Sequence, residues 1–308
     1  MKARKFAAVV PLIILFVLML PAAAFAAEEG ATAKRAGVLN GTPPVGINIG
    51  SSGTLPEDVW FTSINASFSD KHRAKDGGGN KSDYFSQFWI YKIRYGITSE
   101  LEFVTLGTYA NNSYRNPTPS TKHIEGYGDQ SIGLTYAFFN GHQGDPLSMS
   151  AGLTASVPTA PRGDNHVPGA GVWGGRASFA IGGWLMDDLK VDTEFSTSMA
   201  FERGNQDVKR GQQYSWSTQF RYVFNEFDLG LESSVIKAES GDVHLPGGGN
   251  RNLRNGYTEW YVGPSVNVAF DKIDAWLGVG VFFPMYQHVE GPSKVDNARL
   301  EFKFAKLW

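Results

Sequence analysis

From about residue 59 onward the chain alternates apolar and polar side chains. Leu189, Val191, Thr193, Phe195, Thr197, Met199 and Phe201 interleave with Lys190, Asp192, Glu194, Ser196, Ser198, Ala200 and Glu202. The same period of two runs through Leu147–Val157, through Tyr214–Phe224 and through Leu300–Phe304. Successive side chains of a strand point to opposite faces, so each run gives one apolar and one polar face. Marking every such run predicts twelve strands: 59–69, 84–97, 101–110, 128–139, 147–158, 173–186, 189–203, 213–224, 227–239, 257–270, 273–286 and 297–308.

The connections sort by parity. Those after the second, fourth, sixth, eighth and tenth strands hold 3, 7, 2, 2 and 2 residues; the others hold 14, 17, 14, 9, 17 and 10. Asp187-Asp188, Asn225-Glu226 and Asp271-Lys272 suit tight hairpins. Outer-membrane barrels have an even strand number, short periplasmic turns and long external loops. Closure removes every unpaired strand edge, which lipid requires. The fold expected is therefore all-β: a closed antiparallel transmembrane β-barrel of about twelve strands over 59–308. Aromatics on the apolar parity fall near strand ends. Trp60, Tyr95, Phe103, Phe224, Phe270 and Trp308 lie at the short-turn end, and Phe68, Phe85, Tyr109, Tyr214 and Trp260 at the long-loop end. They suit two interfacial girdles.

The N-terminus is a separate object. Lys2, Arg4 and Lys5 precede the apolar run Ala7–Leu20 and the small-x-small site Ala24-Phe25-Ala26. This is the order of a secretory signal peptide, so 1–26 is expected to be removed. Residues 27–58 show no strand pattern and read as an N-terminal periplasmic segment. The expected location is the bacterial outer membrane, with its lipid as one partner. The 308 residues carry 28 Lys+Arg and 30 Asp+Glu, a net charge of −2 that gives no case for nucleic acid. There is no Cys, which excludes a disulfide framework, a cysteine-ligated metal and a Cys nucleophile.

On the polar, inward parity lie Lys92, Arg94, Arg176, Lys190, Arg221, Arg299 and Lys303. The acids there are Glu102, Asp129, Asp192, Glu194, Glu202, Asp228, Glu232, Glu259, Asp274 and Glu301. These are the candidate lumen-lining residues of a solute path. Eight strands leave an interior filled by side chains and sixteen leave an aqueous channel. Twelve lies between, so the charges either line a lumen or fill it. The six His (His72, His123, His142, His166, His244 and His288) scatter over connections, and no catalytic motif is present. Asp76 and Asp164-Asn165 read as surface-loop residues. No catalytic residue, cofactor or metal is implied.

Two segments resemble known families. The last strand ends in Trp308 with Phe302 and Phe304 on the same face, similar to the terminal assembly signal of bacterial outer-membrane proteins; Lys306 departs from that pattern. The resemblance implies the barrel-assembly machinery as a partner. Gly126-Tyr-Gly-Asp-Gln-Ser-Ile-Gly-Leu-Thr-Tyr136, with Leu153-Thr-Ala-Ser-Val-Pro-Thr159 and Arg94-Tyr-Gly-Ile-Thr-Ser-Glu-Leu-Glu102, resembles the meta-pathway phenol degradation family of outer-membrane channels. That implies a barrel passing small hydrophobic or aromatic compounds. The functions open to such a barrel are a passive channel for small solutes, a lipid or peptide hydrolase, or a scaffold whose loops act as receptor.

Overall fold

A computed structural model describes residues 47, 52–73, 83–114, 125–161, 169–204, 207–224, 227–245, 248–290 and 294–308. The signal peptide, the loop glycines Gly77 to Gly79, Asp76, Asp164-Asn165 and the Asn225-Glu226 turn lie outside them. The strands are β1 (Trp60–Arg73), β2 (Asp83–Gly96), β3 (Leu101–Tyr114), β4 (Glu125–Tyr127), β5 (Gln130–Phe139), β6 (Leu147–Val157), β7 (Gly174–Met186) and β8 (Leu189–Ala200). They continue with β9 (Val208–Lys209), β10 (Gln213–Phe224), β11 (Phe227–Ala238), β12 (Asp242–His244), β13 (Asn250–Asn252), β14 (Tyr257–Phe270), β15 (Ala275–Val289) and β16 (Lys294–Leu307).

Twelve of these close one antiparallel barrel. The sheet runs β2-β1-β16-β15-β14-β11-β10-β8-β7-β6-β5-β3, with β4 extending β5 on the edge of β3, and β2 pairing with β3 shuts the ring. All neighbours are consecutive in sequence except at the seam, where β1 meets β16 with Phe61 opposite Leu307. The short β9, β12 and β13 form a three-stranded sheet in the long connections, on the side opposite the tight turns.

The alternation sorts the two faces as expected. Ile64, Leu134, Phe195, Leu229, Leu231 and Phe304 project outward and are exposed. Polar groups on that face are put to use: the indole N–H of Trp216 donates to Thr193 Oγ1, and that of Trp260 to Ser233 Oγ, each at 2.9 Å. Lipid offers no partner to an indole N–H, so the wall supplies one. Trp60 and Tyr95 pack with their rings tilted at 4.5 Å at the short-turn end, and Tyr109 and Tyr127 meet at 5.2 Å near the other end. Lys306 now has a reason: its Nζ lies 3.7 Å from the centroid of the Trp308 ring. The departure from the terminal pattern is thereby tied to its aromatic neighbour by a cation–π contact.

Three expectations change. The strand read over 128–139 begins only at Gln130, as β5: Gly128-Asp129 separates it from the short β4, and the backbone amide of Gln130 donates to Thr159 Oγ1. Residues 273–274 are not in β15. They close a 3-10 turn over Asp271–Ile273, and Asp274 takes φ 49°, a left-handed conformation that Asp tolerates in turns. The segment expected on the periplasmic side contributes Ile47 and Ser52–Leu55 to the inside of the barrel, where all five are buried. Its signal is not periodic, so alternation says nothing about where it goes.

Candidate functional site: the lumen and its N-terminal occupant

Even-numbered positions of β2, β3, β7, β8 and β11, and odd-numbered positions of β10 and the lower part of β16, face inward. Most of the expected residues stand on these inner faces or their counterparts in β14: Lys92, Arg94, Glu102, Arg176, Lys190, Asp192, Glu194, Arg221, Asp228, Glu232, Glu259, Arg299, Glu301 and Lys303. Three do not. Asp274 sits in the short turn just described. Asp129 sits in the break between β4 and β5, where its carboxylate accepts the backbone N–H groups of Ala160, Ala170 and Gly171 at 3.1, 2.7 and 3.1 Å. It ties together the two ends of the long connection between β6 and β7. Glu202 lies beyond the end of β8 and is exposed.

The charges gather in clusters. Near the short-turn end, Arg221 bridges Asp228 at 2.8 Å and Asp192 at 3.1 Å, while Lys190 holds the other oxygen of Asp192 at 3.1 Å. All four side chains are buried. Beside them Arg94 grips Glu102 through both its Nε and Nη2 at 2.5 Å, a bidentate fork. Higher in the wall, Arg176 pairs with Glu194 at 2.6 Å. Toward the long-loop end, Arg299 contacts Asp296 at 2.6 Å, Glu259 at 3.0 Å and the Tyr261 hydroxyl at 2.8 Å, with Lys71 on Asp296 at 3.2 Å. Opposite charges on neighbouring inward positions thus neutralise one another across the ladder.

Reading strands alone missed part of this set. Lys71 and Asp296 lie beyond the ends read for the first and last strands; the ladder in fact continues past a register shift between Ser69 and Lys71. Phe88, Trp276 and Phe282 are apolar yet face inward, against the alternation rule. The largest omission is the N-terminal segment, which touches most of the inner wall in turn. The Leu55 N–H donates to Glu102 at 3.0 Å, and Thr54 Oγ1 donates to Ser99 O at 2.7 Å. Arg94 donates to the Gly53 carbonyl at 3.2 Å, and Ser52 Oγ donates to Asp192 at 2.8 Å. The Ile47 N–H donates to Glu232 at 3.0 Å, and Asn65 donates to the Ile47 carbonyl at 2.9 Å.

These contacts follow from lumen chemistry. An inward carboxylate accepts from several donors at once, and the backbone N–H groups of Ile47 and Leu55 supply such donors to Glu232 and Glu102. Leu55 adds an apolar anchor. It packs with Phe61, Trp276, Ala305 and Leu307, with Val59 against them, at the short-turn end. The lumen is accordingly a charged cylinder into whose lower half Ile47 and Ser52–Leu55 project.

Comparison with known proteins places this architecture. No curated protein matches the chain. Among solved structures, an outer-membrane channel from Pseudomonas putida F1 superposes with a TM-score of 0.68 at 15% identity, over 85% of this chain and 100% of that one. The transport unit of the autotransporter AIDA-I from Escherichia coli gives 0.46 at 11% identity, over 90% and 96%. The toluene transporter TodX of Pseudomonas putida gives 0.39 at 10% identity, over 82% and 89%. The first of these shows the fold to be an outer-membrane type of barrel. Residues 78–285, more than half of the chain, match the family described as "Putative MetA-pathway of phenol degradation", and the chain belongs to that family.

Proposed function

We propose that this protein is an outer-membrane channel for passive uptake of small solutes, with hydrophobic or aromatic compounds as the favoured class. The observation that carries this reading is the closed twelve-strand wall: apolar outside, charged inside and without a free edge between β1 and β16. A wall of that polarity is stable only with lipid outside and a polar interior. The family's description and the channel from Pseudomonas putida support the choice of transport over the hydrolase and scaffold readings. The solute path runs past Lys92, Arg176, Glu194, Glu301 and Lys303, which line the lumen above the segment. Export uses the signal peptide 1–26. The last strand, with Phe302, Phe304 and Trp308 on its outer face, addresses the chain to the assembly machinery.

The test is electrical and chemical. Purified protein in planar bilayers should give discrete current steps, and proteoliposomes should take up small aromatic solutes faster than protein-free vesicles. Folded barrel that gives neither would remove the channel reading and leave the scaffold.

A further inference from the structure

Among the charges and hydroxyls of the lumen, the N-terminal segment places an apolar side chain inside the wall, away from the short-turn mouth. Ile47 is 1% exposed and packs with Tyr261 and Phe282. The slot has a glycine floor. A Cβ built on Gly280 would come 2.9 Å from Ile47 Cδ1, and one on Gly278 would come 3.4 Å from Ile47 Cγ1. Both glycines face inward on β15; a larger residue at Gly280 would run into Phe282 and Ile47, and one at Gly278 into the Asn267 amide with Ile47 just behind it. The slot is thus walled by two aromatic rings, floored by backbone and large enough for a branched four-carbon side chain.

Nothing in the wall requires that the occupant be Ile47. Among the described residues its backbone is held by Glu232 and by Asn65. Glu232 has a wall donor of its own, Ser265 Oγ at 3.0 Å. The departure of Ile47 would therefore not strip that carboxylate of every partner. The apolar slot gains whenever apolar surface fills it, whether that surface belongs to the chain or to a solute. Beyond the slot, Ser52, Gly53 and Thr54 offer almost no apolar area, and the groups they touch keep partners in the wall. Asp192 has Lys190 and Arg221, Arg94 has Glu102, and Asn140 donates to Ser99 O at 2.9 Å.

We propose that Ile47 is the built-in occupant of an apolar solute subsite formed by Tyr261, Phe282, Gly278 and Gly280, and that a small apolar or monoaromatic solute takes the slot by displacing it. This deepens the channel reading and rests on it: the permeant class is the class that can replace an isoleucine side chain. Polyhydroxylated solutes compete poorly, because the two rings and the glycine floor that touch the Ile47 side chain offer them no hydrogen bonds.

The test uses the absence of Cys from the chain. Ile47→Cys is made in the full-length protein and placed in nanodiscs, and its reaction with a small water-soluble methanethiosulfonate is timed. Fluorobenzene is the apolar probe and sorbitol the polar control. Displacement by a ligand scales as one plus its concentration over Kd, so at ten times Kd fluorobenzene should speed labelling about tenfold. Sorbitol should leave the rate unchanged. Adding Gly280→Val should expel the introduced thiol from the slot, so that labelling is fast and no longer responds to fluorobenzene. Equal rates with and without fluorobenzene, or equal acceleration by sorbitol, overturn the subsite. Bilayer recordings of the same samples judge the channel separately: acceleration with no current or flux upholds the subsite and removes transport.

Discussion

Arg221 is the residue whose loss the barrel should feel most. It is 1% exposed and holds two carboxylates at once. Asp192 would keep Lys190 and Ser52 after Arg221→Met. Asp228 would not fare so well. Among the described residues Arg221 is its one hydrogen-bond donor, and its Oδ1 is buried with no partner. Removing one partner of a buried pair costs about 3–5 kcal/mol, because the remaining charge is stranded. At a urea m-value of about 3 kcal/mol/M, this lowers the unfolding midpoint by roughly 1–1.7 M. Arg221→Met/Asp228→Leu takes out the stranded charge as well and should recover most of the loss, since apolar replacements of a buried pair are often neutral. The assay is tryptophan fluorescence of barrel refolded into vesicles and titrated with urea. A single variant within about 0.5 kcal/mol of wild type, or a double variant as unstable as the single one, would refute the reasoning.

Four further outcomes follow from the face assignment and the leader. Phe195→Lys puts a charge against lipid at an exposed outward position and should cost roughly 2–4 kcal/mol near the midplane, seen as loss of the fast-migrating unheated form in detergent gels. Glu194→Gln, one residue along and inward, should assemble normally and shift ion selectivity toward anions; assembly failure there with normal assembly of Phe195→Lys would invert inside and outside. Cysteine at Gly248 should react with an impermeant thiol reagent on intact cells while cysteine at Asp188 should not, and the reverse labelling would turn the barrel over. N-terminal sequencing of the membrane-extracted protein should start at Ala27.

The wall was legible because a two-sided strand writes its environment into every second residue. Phe195 and Glu194 are assigned correctly for that reason alone, and so are Arg221 and Glu232. Strand ends were less legible. Lys71 and Asp296 were missed because loop-like residues follow a bulge there, while Asp274 was included because alternation does not register a left-handed turn. The interior occupant was not legible at all. Ile47 and Ser52–Leu55 hold the wall through backbone N–H and C=O groups, and every residue type but proline has both. No side-chain pattern records such contacts. Only the apolar side chains of Ile47 and Leu55 carried a trace of them.

The seam between β1 and β16 has a consequence for how the chain acquires its structure. Trp60 and Trp308 exchange backbone hydrogen bonds, N–H to O at 3.3 and 2.9 Å, and the Trp308 indole N–H reaches Thr62 Oγ1 at 3.0 Å across 246 residues of sequence. Every other pairing of spanning strands joins consecutive hairpin partners, which can form as soon as both strands exist. This one joins the first spanning strand to the last. The loop-closure entropy of nearly the whole barrel is charged to a single ladder, and contacts of such separation form late. Until that ladder forms, β1 and β16 are two bare edges with unpaired N–H groups, the surfaces through which unfinished chains aggregate. The kinetic barrier to folding should therefore sit at the seam. Substitutions that weaken Trp308 should slow closure far more than they speed opening, whereas those in the β10–β11 hairpin should act mainly on unfolding.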